Sequence, residues 1–344
     1  MNFYTLTFKK KILIAFTLIL ASLTILDIGL YFVAKRKTTK TTYINDKFSK
    51  INHFKLNNPK NKDIIFIGSS RTFYQISTNT FRKNNINIYN FGISGAQFED
   101  YPTLMPYIKT ANPKEVVISL SINRLYNKLN VSKFPTLEEI KYYYDIDKIK
   151  FLESLKQWVI NRHLFLEYSE PIFYKVKSVY DKFEVKKASQ QVHKEIQNSN
   201  KLFIDKSIDY SELAGCKVFD IKQTSDTQIT LKCINGDGIL IGSNIEKKDI
   251  EKKELKEFNS QSIKYLKKLI SNIDANNVKI SIILEPILHN KYSYNLDKIK
   301  TQFRSIRIID LTNYKIKDSF WSDNEHLNYK GREQYSQYLS DILK

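Results

Sequence analysis

The sequence predicts an α/β protein: a mostly parallel sheet of five strands, covered on both faces, with an insertion and an N-terminal transmembrane helix. Three observations lead there. Five short apolar runs each stop at a glycine or a polar residue. Helix-like stretches alternate with them. Near the N-terminus one apolar run continues for 23 residues.

That run, Ile12 to Ala34, is interrupted by one ionisable residue, Asp27. As a helix it extends roughly 35 Å, enough to cross the hydrocarbon core. Lys9, Lys10 and Lys11 precede it, and Lys35, Arg36 and Lys37 follow it. It is longer than a cleaved signal peptide needs, and no A-x-A site follows, so an uncleaved signal anchor is the expectation. The boundaries are a cytoplasmic tail over 1–11, the anchor over 12–34 and a polar, partly helical juxtamembrane spacer over 35–62. Basic residues on both sides leave orientation open. The short tail with three lysines suits an N-inside, single-pass anchor in the cytoplasmic membrane, so the rest of the chain is expected outside that membrane; an N-out anchor with a cytoplasmic globule is the competing topology.

The strands follow in order: Asp63 to Gly68, Ile86 to Phe91, Val116 to Ile122, Lys279 to Leu284 and Ile306 to Leu311. Helices are expected over 77–84, 100–111, 252–275, 294–303 and Tyr329 to Leu343. Strands that are apolar throughout, alternating with helices, belong to parallel sheets with both faces covered. Sites in such sheets lie beyond the carboxyl ends of the strands. The domain therefore runs over 63–344, and an insertion breaks the alternation at about 125–250. It contains an aromatic-rich stretch (Tyr142, Tyr143, Tyr144, Trp158, Phe165), a charged helical segment near 175–200, and β-like runs at 217–221 and 228–234. The aromatics suit either a core or a carbohydrate-stacking wall. Cys216 and Cys233 flank the hairpin, either as a disulfide in an oxidising compartment or as buried thiols.

Composition narrows the function classes. The chain has 344 residues, 42% hydrophobic and 13% aromatic, which supports a sizeable core and excludes global disorder. Two cysteines exclude a disulfide-dense scaffold and a four-cysteine zinc site. Five histidines without HExxH or CxxC spacing argue against a metal enzyme. No cofactor is expected. The net charge of +19 comes from 47 lysines and only eight arginines. A nucleic-acid reader draws more heavily on arginine, so nucleic acid is not an expected partner. The excess of Lys, Asn and Ile is what an AT-rich genome produces; attraction to an anionic envelope polymer or lipid surface is the functional alternative.

Four segments carry the chemistry. Gly68-Ser69-Ser70-Arg71 follows the first strand, where a serine can present its hydroxyl at the sheet edge or simply cap a helix. Asn90-Phe91-Gly92-Ile93-Ser94-Gly95 follows the second, where glycine lets a backbone amide approach a ligand. Ser121-Ile122-Asn123 follows the third, and a carboxamide NH2 can donate to an oxyanion. Asp323-Asn324-Glu325-His326 precedes the last helix. There His326 suits a general base for Ser70, and Asp323 suits its orienting acid. The G-x-S-x-G elbow of α/β-hydrolases is absent.

In this order the segments resemble the four blocks of the SGNH (GDSL-like) hydrolase superfamily, over about 63–123 and 279–344. The resemblance implies a three-layer SGNH-like domain. It assigns catalysis to Ser70, Asp323 and His326, and an oxyanion hole to Ser70, Gly95 and Asn123. Two positions depart from the pattern: Ser69 replaces the Asp of G-D-S, and Arg124 stands where an acid is common after the Asn. The G-S-S variant behind an anchor is similar to the envelope acyl-transfer branch, which includes DltD-like proteins and the alginate and peptidoglycan O-acetyltransferases. That branch implies an envelope polysaccharide or other acyl acceptor and a membrane-bound O-acyltransferase partner. The expected function is a membrane-anchored serine acyltransferase or esterase. The alternative is a non-catalytic, anchored glycan-binding or scaffolding subunit on the same fold.

Overall fold

The computed structural model describes residues 10–19, 21, 22, 25, 47–132, 134–162, 204, 207–245, 251–274 and 278–344. It divides into two compact units, Met1–Thr42 with Lys133–Pro135 and Leu152–Ser199, and Tyr43–Ser132 with Thr136–Phe151 and Asn200–Lys344. In the first unit, residues 10–19, 21, 22 and 25 are helical. The rest of the anchor expected over 12–34 lies outside the described residues, as does the charged segment near 175–200. Among the described residues no helix is long and apolar enough to cross a membrane.

The second unit is built on a sheet. Helix α1 (Lys47–Asn57) leads into β1 (Ile64–Gly68), followed by α2 (Ser70–Gln75), α3 (Thr78–Lys83), β2 (Ile88–Gly92), α4 (Met105–Ala111) and β3 (Glu115–Leu120). Next come α5 (Leu137–Ile146), α6 (Lys148–Arg162, of which the residues from Leu152 on belong to the first unit), α7 (Tyr210–Ala214), and the strands β4 (Val218–Ser225), β5 (Gln228–Cys233), β6 (Gly238–Gly242) and β7 (Lys253–Glu254). The chain ends with α8 (Ser260–Asp274), β8 (Lys279–Leu284), β9 (Tyr292–Ser293), α9 (Leu296–Gln302), β10 (Arg307–Asp310) and α10 (Tyr329–Ile342).

The central sheet has the order β2-β1-β3-β8-β10, and every pairing is parallel. Its period of two splits the core. Ile65 and Ile67 of β1 join Val116 and Ile118 of β3, and Ile280 and Ile282 of β8, under Leu266, Leu269 and Ile273 of α8. Ile64, Phe66 and Val117 face the other way, against Phe81, Tyr335 and Leu339. Strands buried on both faces are apolar at most positions, which is why these runs do not alternate; buried exceptions such as Asn90, Ser119 and Ser281 are hydrogen-bonded. The chain passes from β1 outward to β2 and then back across to β3. The connections thus diverge between β1 and β3, which opens a crevice at their carboxyl ends.

Several elements differ from expectation. The helix expected over 252–275 begins only at Ser260, because Asn259 caps it, its Oδ1 accepting from the Ser262 amide at 3.0 Å. Residues 253–254 instead pair with β9. The helix expected over 100–111 is a 3-10 turn (Phe98–Leu104) continuing into α4, with Pro102 inside the turn. Helix α1 extends the unit N-terminally of residue 63: Ile51 and Phe54 join the core. Lys47 is buried too, its Nζ 2.7 Å from Glu139 and 3.2 Å from Asp100.

The first part of the segment expected as an insertion shares this core through Leu129, Tyr142 and Tyr143, while β5 and β6 contribute to a separate cluster. Tyr142 and Tyr143 pack on Tyr265 of α8 with ring centroids 5.4 and 5.5 Å apart, whereas Tyr144 is exposed. Strands β4, β5 and β6 form an antiparallel sheet, of which β6 was not expected. Cys216 and Cys233 are joined by a disulfide.

Candidate active site

Two adjacent serines divide two tasks. Ser69 is the N-cap of α2, its Oγ accepting from the Arg71 amide at 3.4 Å. Ser70 is therefore the first helical residue, and its hydroxyl is free of capping. Its amide has no intrahelical acceptor. The helix is held from several sides. Asn90 of β2 donates from Nδ2 to the carbonyls of Thr72, Phe73 and Ile76 at 3.1–3.3 Å, while its Oδ1 accepts from the Gly92 amide at 2.9 Å. A Cβ at Gly92 would lie 2.2 Å from the Phe73 nitrogen. The second segment thus contains two kinds of glycine. Gly92 lets β2 touch α2, whereas Gly95 has φ +76° with open space around it. Only Gly95 matches the expected approach to a ligand.

The fourth segment forms a tight loop closed by a bridge between buried Trp321 and Leu327. The Ser322 amide donates to the His326 carbonyl at 2.7 Å. Within this loop Asp323 Oδ1 accepts from the Glu325 and His326 amides at 2.7 and 2.8 Å, and Oδ2 lies 2.9 Å from His326 Nδ1. His326 Nε2 is 2.8 Å from Ser70 Oγ. A carboxylate only accepts, so the imidazole proton sits on Nδ1 and the Nε2 lone pair faces the serine hydroxyl. Tyr74 stands edge-on to the imidazole at 5.5 Å. Burial alone raises the Asp323 carboxyl. The hydrogen bond and charge of His326, with the two amides, outweigh that and hold it at about 2. Asp323 is thus ionised throughout the neutral range.

Ser70, Gly95 and Asn123 line one cavity of about 220 Å³ at the carboxyl end of the sheet, within the crevice between β1 and β3. The Asn123 side-chain oxygen is buried and accepts no hydrogen bond. Catalytic candidates from four separate segments, up to 256 residues apart, therefore meet at one edge.

Other residues of the site were not singled out from sequence. Gln228 at the start of β5 donates from Nε2 to Ser322 Oγ at 2.8 Å and to Asp323 Oδ2 at 3.3 Å, so the hairpin supports the acid. Gln75 donates to the Glu325 carbonyl at 3.1 Å, tying α2 to the histidine loop. Glu285, one residue past β8, is buried at the cavity wall. Its Oε1 accepts from Ser119 Oγ at 3.0 Å, and its Oε2 lies 3.8 Å from Arg71 Nη1. Burial pushes the Glu285 carboxyl up against the opposing pull of Arg71 and Ser119. Position beyond a strand end was the available signal for Glu285. Gln228 offered none, because its contact spans 95 residues.

Among the described residues no group of three or more His, Cys, Asp or Glu side chains is placed to hold a metal ion. Compared with known proteins, the chain matches no family model and no curated sequence.

Proposed function

We propose that the protein is a serine acyltransferase or esterase of the SGNH (GDSL-like) type, acting on acyl esters of cell-envelope glycans. One observation carries this reading: the continuous Ser70–His326–Asp323 hydrogen-bond chain, with both contacts of His326 at 2.8–2.9 Å. Ser70 Oγ attacks the acyl carbonyl as His326 Nε2 takes its proton, and Asp323 stabilises the imidazolium. The Ser70 and Gly95 amides and the Asn123 carboxamide receive the oxyanion; losing one such donor costs about 3–4 kcal/mol. His326 then returns the proton to the leaving oxygen. A second acceptor, a sugar hydroxyl or water, releases the acyl group from Ser70.

The envelope setting is supported by the 23-residue apolar run with its basic flanks. The disulfide between Cys216 and Cys233 suits an oxidising compartment, on the outer side of the cytoplasmic membrane. A single-pass anchor would hold the site near a membrane-bound O-acyltransferase partner and a polysaccharide acceptor.

The test is p-nitrophenyl acetate turnover by the full chain in detergent micelles, beside Ser70→Ala. Turnover lost in the variant supports the assignment. Adding glycans then separates transfer, read as acylated sugar, from hydrolysis. Equal rates in both folded proteins would remove Ser70 from the chemistry and favour the anchored binding subunit.

A further inference from the structure

Arginine is scarce in this chain, eight residues against 47 lysines, yet Arg71 and Arg124 both line the cavity beside Ser70. Arg124 follows the oxyanion candidate Asn123 directly. Its Nη1 donates to Gln97 Oε1 at 2.7 Å. Gln97 is itself held by Asn130 Nδ2 at 2.9 Å and, through its amide, by Asp100 Oδ2 at 2.9 Å. A neutral carboxamide fixes the guanidinium; buried Glu99 also feels its charge, though burial still raises the Glu99 carboxyl overall. Among the described residues Arg124 forms no ion pair.

Arg71 is only 9% exposed, and its guanidinium makes a single long hydrogen bond, 3.5 Å, to Ser121 Oγ. The carboxylates facing it stand at the limit of pairing, Glu285 at 3.8 Å and exposed Glu325 at 4.0 Å. Asp323 is engaged by His326, and Asp100 accepts from the Gln97 backbone amide. The cavity wall thus carries two guanidinium groups with donors to spare. Burying such donors without acceptors is costly, and a planar fork is matched best by a carboxylate or phosphate.

We propose that Arg124, backed by Arg71, makes this cavity selective for esters that carry a carboxylate or phosphate close to the scissile bond. The inference rests on the reading of Ser70 as nucleophile. The anion belongs either to the acyl group or to the alcohol that receives it, and the two sources are separable.

The full chain in detergent is assayed in two arms. The acyl arm compares kcat/KM for mono-p-nitrophenyl succinate and p-nitrophenyl acetate. The alcohol arm compares acetyl transfer to glucuronate with transfer to methyl glucoside, and to glycerol 3-phosphate with transfer to glycerol. The expected result is a preference of about 10–100-fold for the charged member in one arm. Arg124→Gln collapses that preference and Arg124→Lys keeps part of it, with circular dichroism confirming the fold. Ser70-dependent turnover with no charge preference in either arm overturns the inference and leaves the nucleophile standing. So does a preference untouched by Arg124→Gln. Where turnover does not depend on Ser70, the parent reading has failed, and calorimetry with succinate and inorganic phosphate decides separately. Saturable binding lost in Arg124→Gln supports the anion site; no binding by the unmodified chain overturns it.

Discussion

Replacing Asp323 by Asn tests the triad at its most geometrically constrained member. The carboxylate accepts from two backbone amides at 2.7 and 2.8 Å, from His326 Nδ1 at 2.9 Å and from Gln228 Nε2 at 3.3 Å. An asparagine in the same pose has one oxygen. If that oxygen keeps the two amides it stays 3.0 Å from Nδ1, shared among three donors, while the NH2 now faces Nδ1–H and Gln228 Nε2 as a further donor. The imidazole then gains by carrying its proton on Nε2, which points a donor at Ser70 and removes the base. The expected loss in esterase kcat/KM is about 10³–10⁴-fold, or roughly 4–5.5 kcal/mol of transition-state stabilisation.

The same change has a stability signature. The folded carboxyl titrates at about 2, below its ordinary value of 3.8. A depressed carboxyl adds stability that is present above the unfolded value and fades as pH falls through the folded one. After discounting for partial exposure this is about 1–2 kcal/mol. Thermal melts of wild type and Asp323→Asn should differ at pH 6–7 and converge toward pH 2. A folded variant that keeps more than a tenth of wild-type turnover would refute the role given to Asp323.

Three further outcomes follow from the packing. Gly92→Ala forces a Cβ to within 2.2 Å of the Phe73 backbone nitrogen, so β2 and α2 must separate. Urea unfolding should show a loss of more than about 2 kcal/mol, and esterase activity should fall with it. Reducing the Cys216–Cys233 bridge opens a loop of 17 residues, worth about 3 kcal/mol, read as a lower thermal midpoint in dithiothreitol. Lys50 is fully buried, and burial pulls its ammonium down to about 7 against the attraction of Asp237. The unfolded chain then holds more protons between pH 7 and about 10, so this group makes stability rise with pH across that window. Comparing Lys50→Met with wild type by denaturation at pH 7 and 9 should show a smaller rise in the variant.

Much of the sheet could be read directly because its strands are buried on both sides. Ile64 to Gly68 is a continuous apolar run for that reason and Lys279 to Leu284 nearly one, broken only by exposed Lys279 and buried Ser281, and three of the four site segments follow from the rule about strand carboxyl ends. Local propensity served less well where glycine or long-range contacts decide. Strand β6 (Gly238–Gly242) has only three apolar residues between its glycines, a run too short to stand out, and its pairing with β5 sets it in place. Lys47 and Lys50 read as solvated spacer residues, yet a distant carboxylate, Glu139, and the Gly236 carbonyl receive them in the interior. Ser70 and His326 were legible as types in suitable places. Their 2.8 Å contact depends on the Asn90 brace, the Trp321–Leu327 bridge and the closeness of Gly92 to α2, none of which a local pattern encodes.

The most direct test of Ser70 as nucleophile is covalent trapping. The full chain in detergent is treated with a fluorophosphonate, and intact mass and peptide mapping locate the adduct. One phosphonyl group is expected on Ser70, absent in Ser70→Ala and formed far more slowly in His326→Ala. A folded protein that takes up no label, or is labelled at another residue with Ser70 untouched, would contradict that role.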